Sequence, residues 1–138
     1  MSVEADNTAL VRRYVEDVWN KGDLAALDAL IRPNYVQHTR GVAQGREGMK
    51  AFFSSFRASF SGINSTVEDL VAEGDRVMWR STIRATQTGS FRGIPPTGKE
   101  IIVTAMTIIR VENRQFAESW GEQDNLALLR QLGILANS

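Results

Sequence analysis

The sequence predicts an α+β fold in which a run of helices precedes a run of strands. Three observations carry that expectation. Apolar residues recur at helical spacing over roughly the first sixty positions. Beyond them the period changes to two. The strand-like stretches are joined by short turn signals rather than crossover helices. Helices followed by hairpins pack as one helical layer on one face of an antiparallel sheet. The 138 residues suit a single domain spanning residues 1–138. A chain of that size buries about two thirds of its unfolded surface, enough for a core and a pocket.

Residues 5–21 read as the first helix, with Leu10, Val11, Tyr14, Val15, Val18 and Trp19 on one apolar face. Gly22 ends it and Asp23 is placed to cap a short second helix over 24–31, which Pro33 stops. Residues 34–39, NYVQHT, lean towards strand, and RGVAQG is a loop. A third helix over 45–60 aligns Met49, Phe52, Phe53, Phe56 and Phe60 on one face. Such an aromatic stripe is ordinary core unless a cavity lies beside it.

Four strands in hairpins follow. Two of them flank a turn at Glu73-Gly74-Asp75. In the second, Val77, Trp79, Ser81, Ile83 and Ala85 face one way and Met78, Arg80, Thr82, Arg84 and Thr86 the other. After the loop SFRGIPPTGK, residues 100–111 form a strand that is apolar on both faces. A strand of that kind is covered on both sides. Helices supply one cover; a second subunit or sheet curvature supplies the other. ENR turns the chain into a last strand over 115–123, and NLALLRQLG is a short helix ended by Gly133.

Composition removes several classes of function. Lys+Arg and Asp+Glu are both 16, so there is no basic excess for nucleic acid. With no cysteine and one histidine, disulfides, thiol nucleophiles and thiolate or poly-histidine metal sites are excluded. No dense Asp/Asn loop suggests an all-oxygen metal site. The polar, acidic N-terminus has neither signal-peptide nor membrane-span character, so the expected location is cytoplasmic, with no membrane partner. The segment GIPPTGKE at 93–100 approaches a phosphate-binding loop. However, Glu100 stands where a Ser/Thr belongs, Pro95 and Pro96 remove two backbone donors, and a strand follows instead of a helix. A rigid loop is the expectation there.

Two residues remain as acid/base candidates. His38 precedes a glycine-bearing loop, and histidine ordinarily titrates near neutral pH. From position alone, a surface or core-edge hydrogen bond is its plainer explanation. Asp124 stands where a strand ends and a helix begins, so an N-cap is its plain role. Strict alternation would put Phe116, Glu118, Trp120, Glu122 and Asp124 on one face. If that face lined a cavity, Trp120 would desolvate the carboxylate and raise its pKa, which suits proton transfer.

The segments EGDRV (73–77), GSFRGIPPTGKEI (89–101) and ESWGEQDNLALLRQLG (118–133), with YVQHTRG (35–41) and GREGMKAFFSSFRASF (45–60), resemble the SnoaL-like polyketide cyclase (ester cyclase) group of the NTF2-like superfamily. The resemblance implies a cone-shaped, barrel-like fold whose curved antiparallel sheet wraps the N-terminal helices. It also implies homodimers joined through their sheets. It further implies aldol-type ring closure of polyketides with no metal or cofactor, and an aspartate acid/base that falls on Asp124. The tyrosine-near-histidine motif falls on Tyr35 and His38. Many relatives carry a histidine where this chain has Gln87, which hydrogen-bonds but does not titrate.

The leading expectation is therefore a cofactor-free cyclase acting on a hydrophobic small molecule. Asp124 would be its base and His38 the oxyanion donor. Trp79, Trp120, Phe52, Phe56 and Met106 are candidate walls, and Tyr35 and Gln87 further substrate contacts. An isomerase or an epoxide hydrolase is the alternative within the same superfamily. A non-catalytic binder of hydrophobic molecules is the third reading, and nothing in the sequence supports a transport adaptor.

Overall fold

The computed structural model describes residues 2–135. Met1 and residues 136–138 of the expected domain lie outside the described residues. Helix α1 (Val3–Arg13) is capped by Ser2, whose hydroxyl accepts the Ala5 N–H at 3.1 Å. Acidic Glu4 and Asp6 lie in its first turn and Arg12 and Arg13 in its last, which complements the helix dipole. The helix continues directly as a π-helical segment, Tyr14–Asn20, until Gly22 adopts a φ of 72°. The apolar spacing located this helix but did not reveal the wider turns of its second half. Such turns cluster at functional sites, and these carry Tyr14 and Trp19 towards the sheet.

A 3-10 turn (Leu24–Ala26) leads into α2 (Leu27–Leu30), and the chain passes without a loop into β1 (Ile31–Gln37). Pro33 is therefore a strand residue and not a break between helix and strand. It is tolerated because β1 is an edge strand. Helix α3 (Gly45–Ser59) buries Met49, Phe53 and Phe56. Strands β2 (Phe60–Glu73), β3 (Arg76–Gln87), β4 (Glu100–Glu112) and β5 (Gln115–Gln123) follow, then helix α4 (Asn125–Gln131).

The sheet has five strands in the order β1-β5-β4-β3-β2: the four expected in hairpins and the β-leaning segment before α3, which joins them as β1. β1 pairs with β5 in parallel, while every other neighbour pair is antiparallel. The sheet curves over the helices without closing into a barrel; β1 and β2 remain its edges. Bulges between Ser61 and Asn64 and between Val67 and Asp69 bend β2, as an unpaired extra residue does. On β3 the inward set Val77, Trp79, Ser81, Ile83 and Ala85 is buried, as alternation predicts.

On β4, Ile101, Val103, Ile109 and Val111 are buried against the helical layer. Among the described residues nothing covers the opposite face: Met106 is 51% exposed, Ile102 42% and, on β3, Met78 40%. The core proper joins α1, α3 and the inner sheet through Tyr14, Phe53, Trp79 and Phe116, whose rings meet edge to face at 5.2–6.3 Å.

Gly48 is the point where α3 touches the segment before it. A Cβ there would lie 2.0 Å from the Ala43 carbonyl oxygen. In an open helix Gly→Ala gains about 1 kcal/mol. Here overpacking against backbone costs ~1–3 kcal/mol and outweighs that gain. Gly48→Ala is expected to lower the urea midpoint of unfolding; a raised midpoint would contradict this packing.

Candidate active site

Between the inner sheet face and the helices lies a cavity of about 650 Å³. Trp19, Phe52, Phe56 and Phe91 wall one side, and Trp79, Ile83 and Ile109 the sheet side. Tyr14, Tyr35, Gln37 and Ser119 supply polar groups at its buried end. The charged residues along it, His38, Arg40, Arg92 and Glu122, are all exposed and so mark its solvent side.

A bulge decides what β5 contributes. Val111 pairs with Phe116 but Arg110 pairs with Glu118, so Ala117 is an extra residue. Phe116 and Ala117 are both fully buried. Past the bulge the alternation is inverted, as a one-residue slip must do. Ser119, Gly121 and Gln123 line the cavity, and Trp120 does not. The expected single face of Phe116, Glu118, Trp120, Glu122 and Asp124 is thus corrected.

Of the expected walls, Trp79, Phe52, Phe56 and Tyr35 do line the cavity. Trp120 and Met106 lie instead on the outer face of the sheet, in a small groove with Met78 and Ile108. Met106 is there because β4 turns its odd-numbered residues inward. Trp120 stacks on His38, with ring centroids 5.0 Å apart and planes 9° from parallel. The Arg76 guanidinium lies 4.8 Å from the Trp120 ring centroid.

His38 sits at the rim, lining both the cavity and that groove. Its Nε2 is 2.7 Å from Glu118 Oε2. Arg110 Nε donates to the other Glu118 oxygen at 3.1 Å. The His38 hydrogen bond first, and Arg110 second, hold the Glu118 carboxyl below the usual carboxylate range. Asp124 caps α4: its Oδ1 accepts the Ala127 N–H at 3.0 Å. Asp124 does not line the cavity, although its neighbours Gln123 and Asn125 do. The structure does not bring Asp124 and His38 into contact.

Gln87 has a structural setting rather than the expected substrate contact. It is fully buried and absent from the cavity lining. Its Nε2 donates to the carbonyls of Gly89, Ile94 and Pro95 at 3.1–3.3 Å. Its Oε1 accepts from the Thr97 N–H at 3.1 Å and the Thr97 hydroxyl at 2.7 Å. One amide thereby pins the proline-bearing loop that the sequence marked as rigid.

Tyr14, which sequence reasoning left among the core, and Gln37 and Ser119, which it did not single out, form the polar end of the cavity with Tyr35. The Tyr35 hydroxyl makes a short hydrogen bond to Ser119 Oγ. Ser119 Oγ donates to Gln37 Oε1 at 3.0 Å, and the Thr39 N–H donates to the same oxygen at 3.0 Å. Burial pushes the Tyr35 phenol up to about 12, against the lowering effect of the neighbouring Ser119 and Gln37 side chains. Burial, then the neighbouring Tyr35, raise Tyr14 further, while the Trp19 indole opposes them. Among the described residues no group of three or more His, Asp or Glu is placed to hold a metal ion, and no helix is long and apolar enough to cross a membrane.

The sequence pattern of the SnoaL-like polyketide cyclase family matches residues 9–132. TsrD from Streptomyces laurentii is similar at 34% identity over 95% of this chain and 97% of its own, with a TM-score of 0.87. IdmH from Streptomyces antibioticus, described as a candidate polyketide cyclase, is 34% identical over 92% of this chain and 98% of its own, with a TM-score of 0.82. AclR from Streptomyces galilaeus, described as a candidate hydroxylase, is 27% identical over 97% of this chain and 89% of its own, with a TM-score of 0.88. Among curated proteins, none matches this chain.

The chain has only two tyrosines, Tyr14 and Tyr35, and both are buried with raised pKa values. A group whose folded pKa lies above its unfolded one contributes stability that is present below the unfolded value, near pH 10, and lost as pH rises towards the folded value. Alkaline titration is therefore expected to show tyrosinate absorbance only together with loss of tertiary circular dichroism. Tyrosinate appearing near pH 10 in a folded chain would contradict the buried arrangement.

Proposed function

The chain belongs to the SnoaL-like polyketide cyclase family, and on that premise we propose that it is a cofactor-independent acid/base catalyst. Its reaction is an intramolecular aldol-type ring closure on a hydrophobic, polyketide-like small molecule. The observation that carries this reading is the cavity itself: about 650 Å³, walled by aromatic rings and ending in uncharged hydroxyl and amide groups. Such a site excludes water from an enolate and offers hydrogen bonds to its oxygen.

In the proposed reaction a base removes the proton from the carbon beside a carbonyl. The resulting enolate carbon attacks a second carbonyl, and the new alkoxide takes a proton back. Asp124 is the proposed base. Gln123 and Asn125 on either side of it line the cavity, and among the described residues only Oδ1 of its two carboxylate oxygens has a hydrogen-bond partner. His38 is the proposed donor at the rim.

A second reading, a non-catalytic binder of hydrophobic molecules, is favoured by one observation. Asp124 is engaged by the α4 amide and His38 by Glu118, so both candidates already have structural work. Asp124→Asn separates the readings, because asparagine caps a helix as well as aspartate does. Stability should change by less than about 0.5 kcal/mol. Turnover of a poly-β-keto substrate should fall at least ~100-fold. Unchanged turnover would remove Asp124 from the mechanism, and no turnover by the unsubstituted chain on substrates it binds would favour the binder.

We also infer that a second copy covers the outer sheet face, where Met78, Ile102 and Met106 are exposed. Light scattering should find a dimer, and Met106→Glu should shift it to monomer. A monomeric unsubstituted chain at micromolar concentration would end that inference.

A further inference from the structure

The hydrogen bonds at the buried end of the cavity have a fixed direction, and that direction follows from one backbone group. The Thr39 N–H can only donate, so the atom of the Gln37 side chain facing it at 3.0 Å must be the carbonyl oxygen. Reversing the amide would set an NH2 group against an N–H. Gln37 Nε2 is left to face Met49 Sδ at 3.1 Å, a weak acceptor that suits it. With Gln37 Oε1 fixed as an acceptor, Ser119 Oγ, 3.0 Å away, must donate to it. A serine hydroxyl has one proton. Ser119 therefore has none for Tyr35 and accepts the Tyr35 proton instead.

The consequence lies at Tyr35. Its proton is committed inward along the chain Tyr35 to Ser119 to Gln37, so its oxygen can offer the cavity only lone pairs. Tyr14 is the complement. It lines the same cavity on the π-helical segment, and its polar neighbour is the Trp19 indole N–H, which can only donate, so that neighbour does not take the Tyr14 proton. The two phenols are alike in chemistry and opposite in polarity.

We propose that the buried end of the cavity selects ligands carrying a hydroxyl: the Tyr35 oxygen accepts a hydrogen bond from that hydroxyl, Tyr14 donates one to a neighbouring oxygen such as a carbonyl, and the Ser119–Gln37–Thr39 chain sets which tyrosine does which. This deepens the reading above and rests on its claim that the cavity takes hydrophobic small molecules. It narrows the substrate class to hydroxy-carbonyl compounds, including the enol form of a β-dicarbonyl, in which an O–H and a C=O lie on adjacent arms. Tyr35 keeps its proton throughout, so it is a specificity-determining contact and not the base.

Matched probes test the polarity without knowledge of the natural substrate. β-Naphthol and its methyl ether share ring and shape but only the naphthol donates. The unsubstituted chain should bind β-naphthol about tenfold more tightly, the size of one buried hydrogen bond. Tyr35→Phe should erase the preference while still binding the ether. Ser119→Ala releases the Tyr35 proton, so Tyr35 becomes a donor. The preference should then pass from naphthol towards β-acetonaphthone, which only accepts. A role confined to packing would not produce that reversal. Equal binding of naphthol and ether by the unsubstituted chain overturns this inference and leaves the small-molecule cavity standing. Binding of none of the three probes counts against the cavity reading and takes this inference with it. Loss of turnover in Asp124→Asn bears on the base alone and is independent of these titrations.

Discussion

Phe116 and Ala117 both face the core, and a strand can point two consecutive residues inward only by bulging. The rest of the site depends on that bulge. Before it, Phe116 packs against Tyr14 with ring centroids 5.2 Å apart. After it, Ser119 reaches Tyr35 and Gln37, while Glu118 turns outward to His38 and Arg110. Without the extra residue the later half of β5 would reverse. Glu118 and Trp120 would then face the cavity and Glu122 would turn inward from its rim, and an acidic interior would replace a neutral one. The same bulge lets Gly121 pass within reach of the β1 end, where a Cβ would meet Thr39 Oγ1 at 2.8 Å.

Two buried glutamines hold the two segments that border the cavity. Gln37 ends β1 and fixes the segment after it. Its side-chain oxygen takes the Thr39 N–H, and its backbone exchanges two hydrogen bonds with the Gln44 side chain at 2.7 and 2.9 Å. Gln87 ends β3 and fixes the proline-bearing loop by the same means. Glutamine suits both places because one amide both donates and accepts, and loop backbones present both kinds of unpaired group. A histidine at position 87 could offer at most one donor and one acceptor when neutral. Gln87 in this chain therefore holds the loop and takes no part in the cavity lining.

Much of this fold was legible because it is periodic. The third helix, the alternation on β3 and the hairpins at Gly74 and Asn113 follow from spacing and turn residues alone. What the sequence did not reveal is non-local. β1 joins β5 across about eighty positions in parallel, and no pattern in NYVQHT announces a partner so distant. The bulge at Ala117 has no turn residue to mark it, so strict alternation put Trp120 and Asp124 on a shared inner face. Tyr14 read as core from its helical spacing, and it is core. Its hydroxyl becomes interesting only once a cavity is seen beside it. Trp79, Phe52 and Phe56 lie beside the cavity, as spacing alone would put them, because neither their helix nor their strand slips.

The distribution of charge constrains how a substrate would lie. Every charged residue along the cavity belongs to its solvent side, and the buried end holds only tyrosine, serine and glutamine. A carboxylate at the buried end would lose hydration worth several kcal/mol without a cation to replace it. On the proposed reading, proton abstraction by a carboxylate takes place towards the rim, where Asp124 follows β5 and His38 follows β1. The neutral end can orient a substrate but cannot supply a base, since Tyr35 holds its proton up to about 12. On the proposed reading, the hydroxyl-bearing end of the molecule enters first, and the carbon that loses its proton stays near the mouth. The aromatic walls between these two ends then set how far apart the anchoring oxygen and the reacting carbon can be, which is how a cavity without a buried charge can still choose where a ring closes.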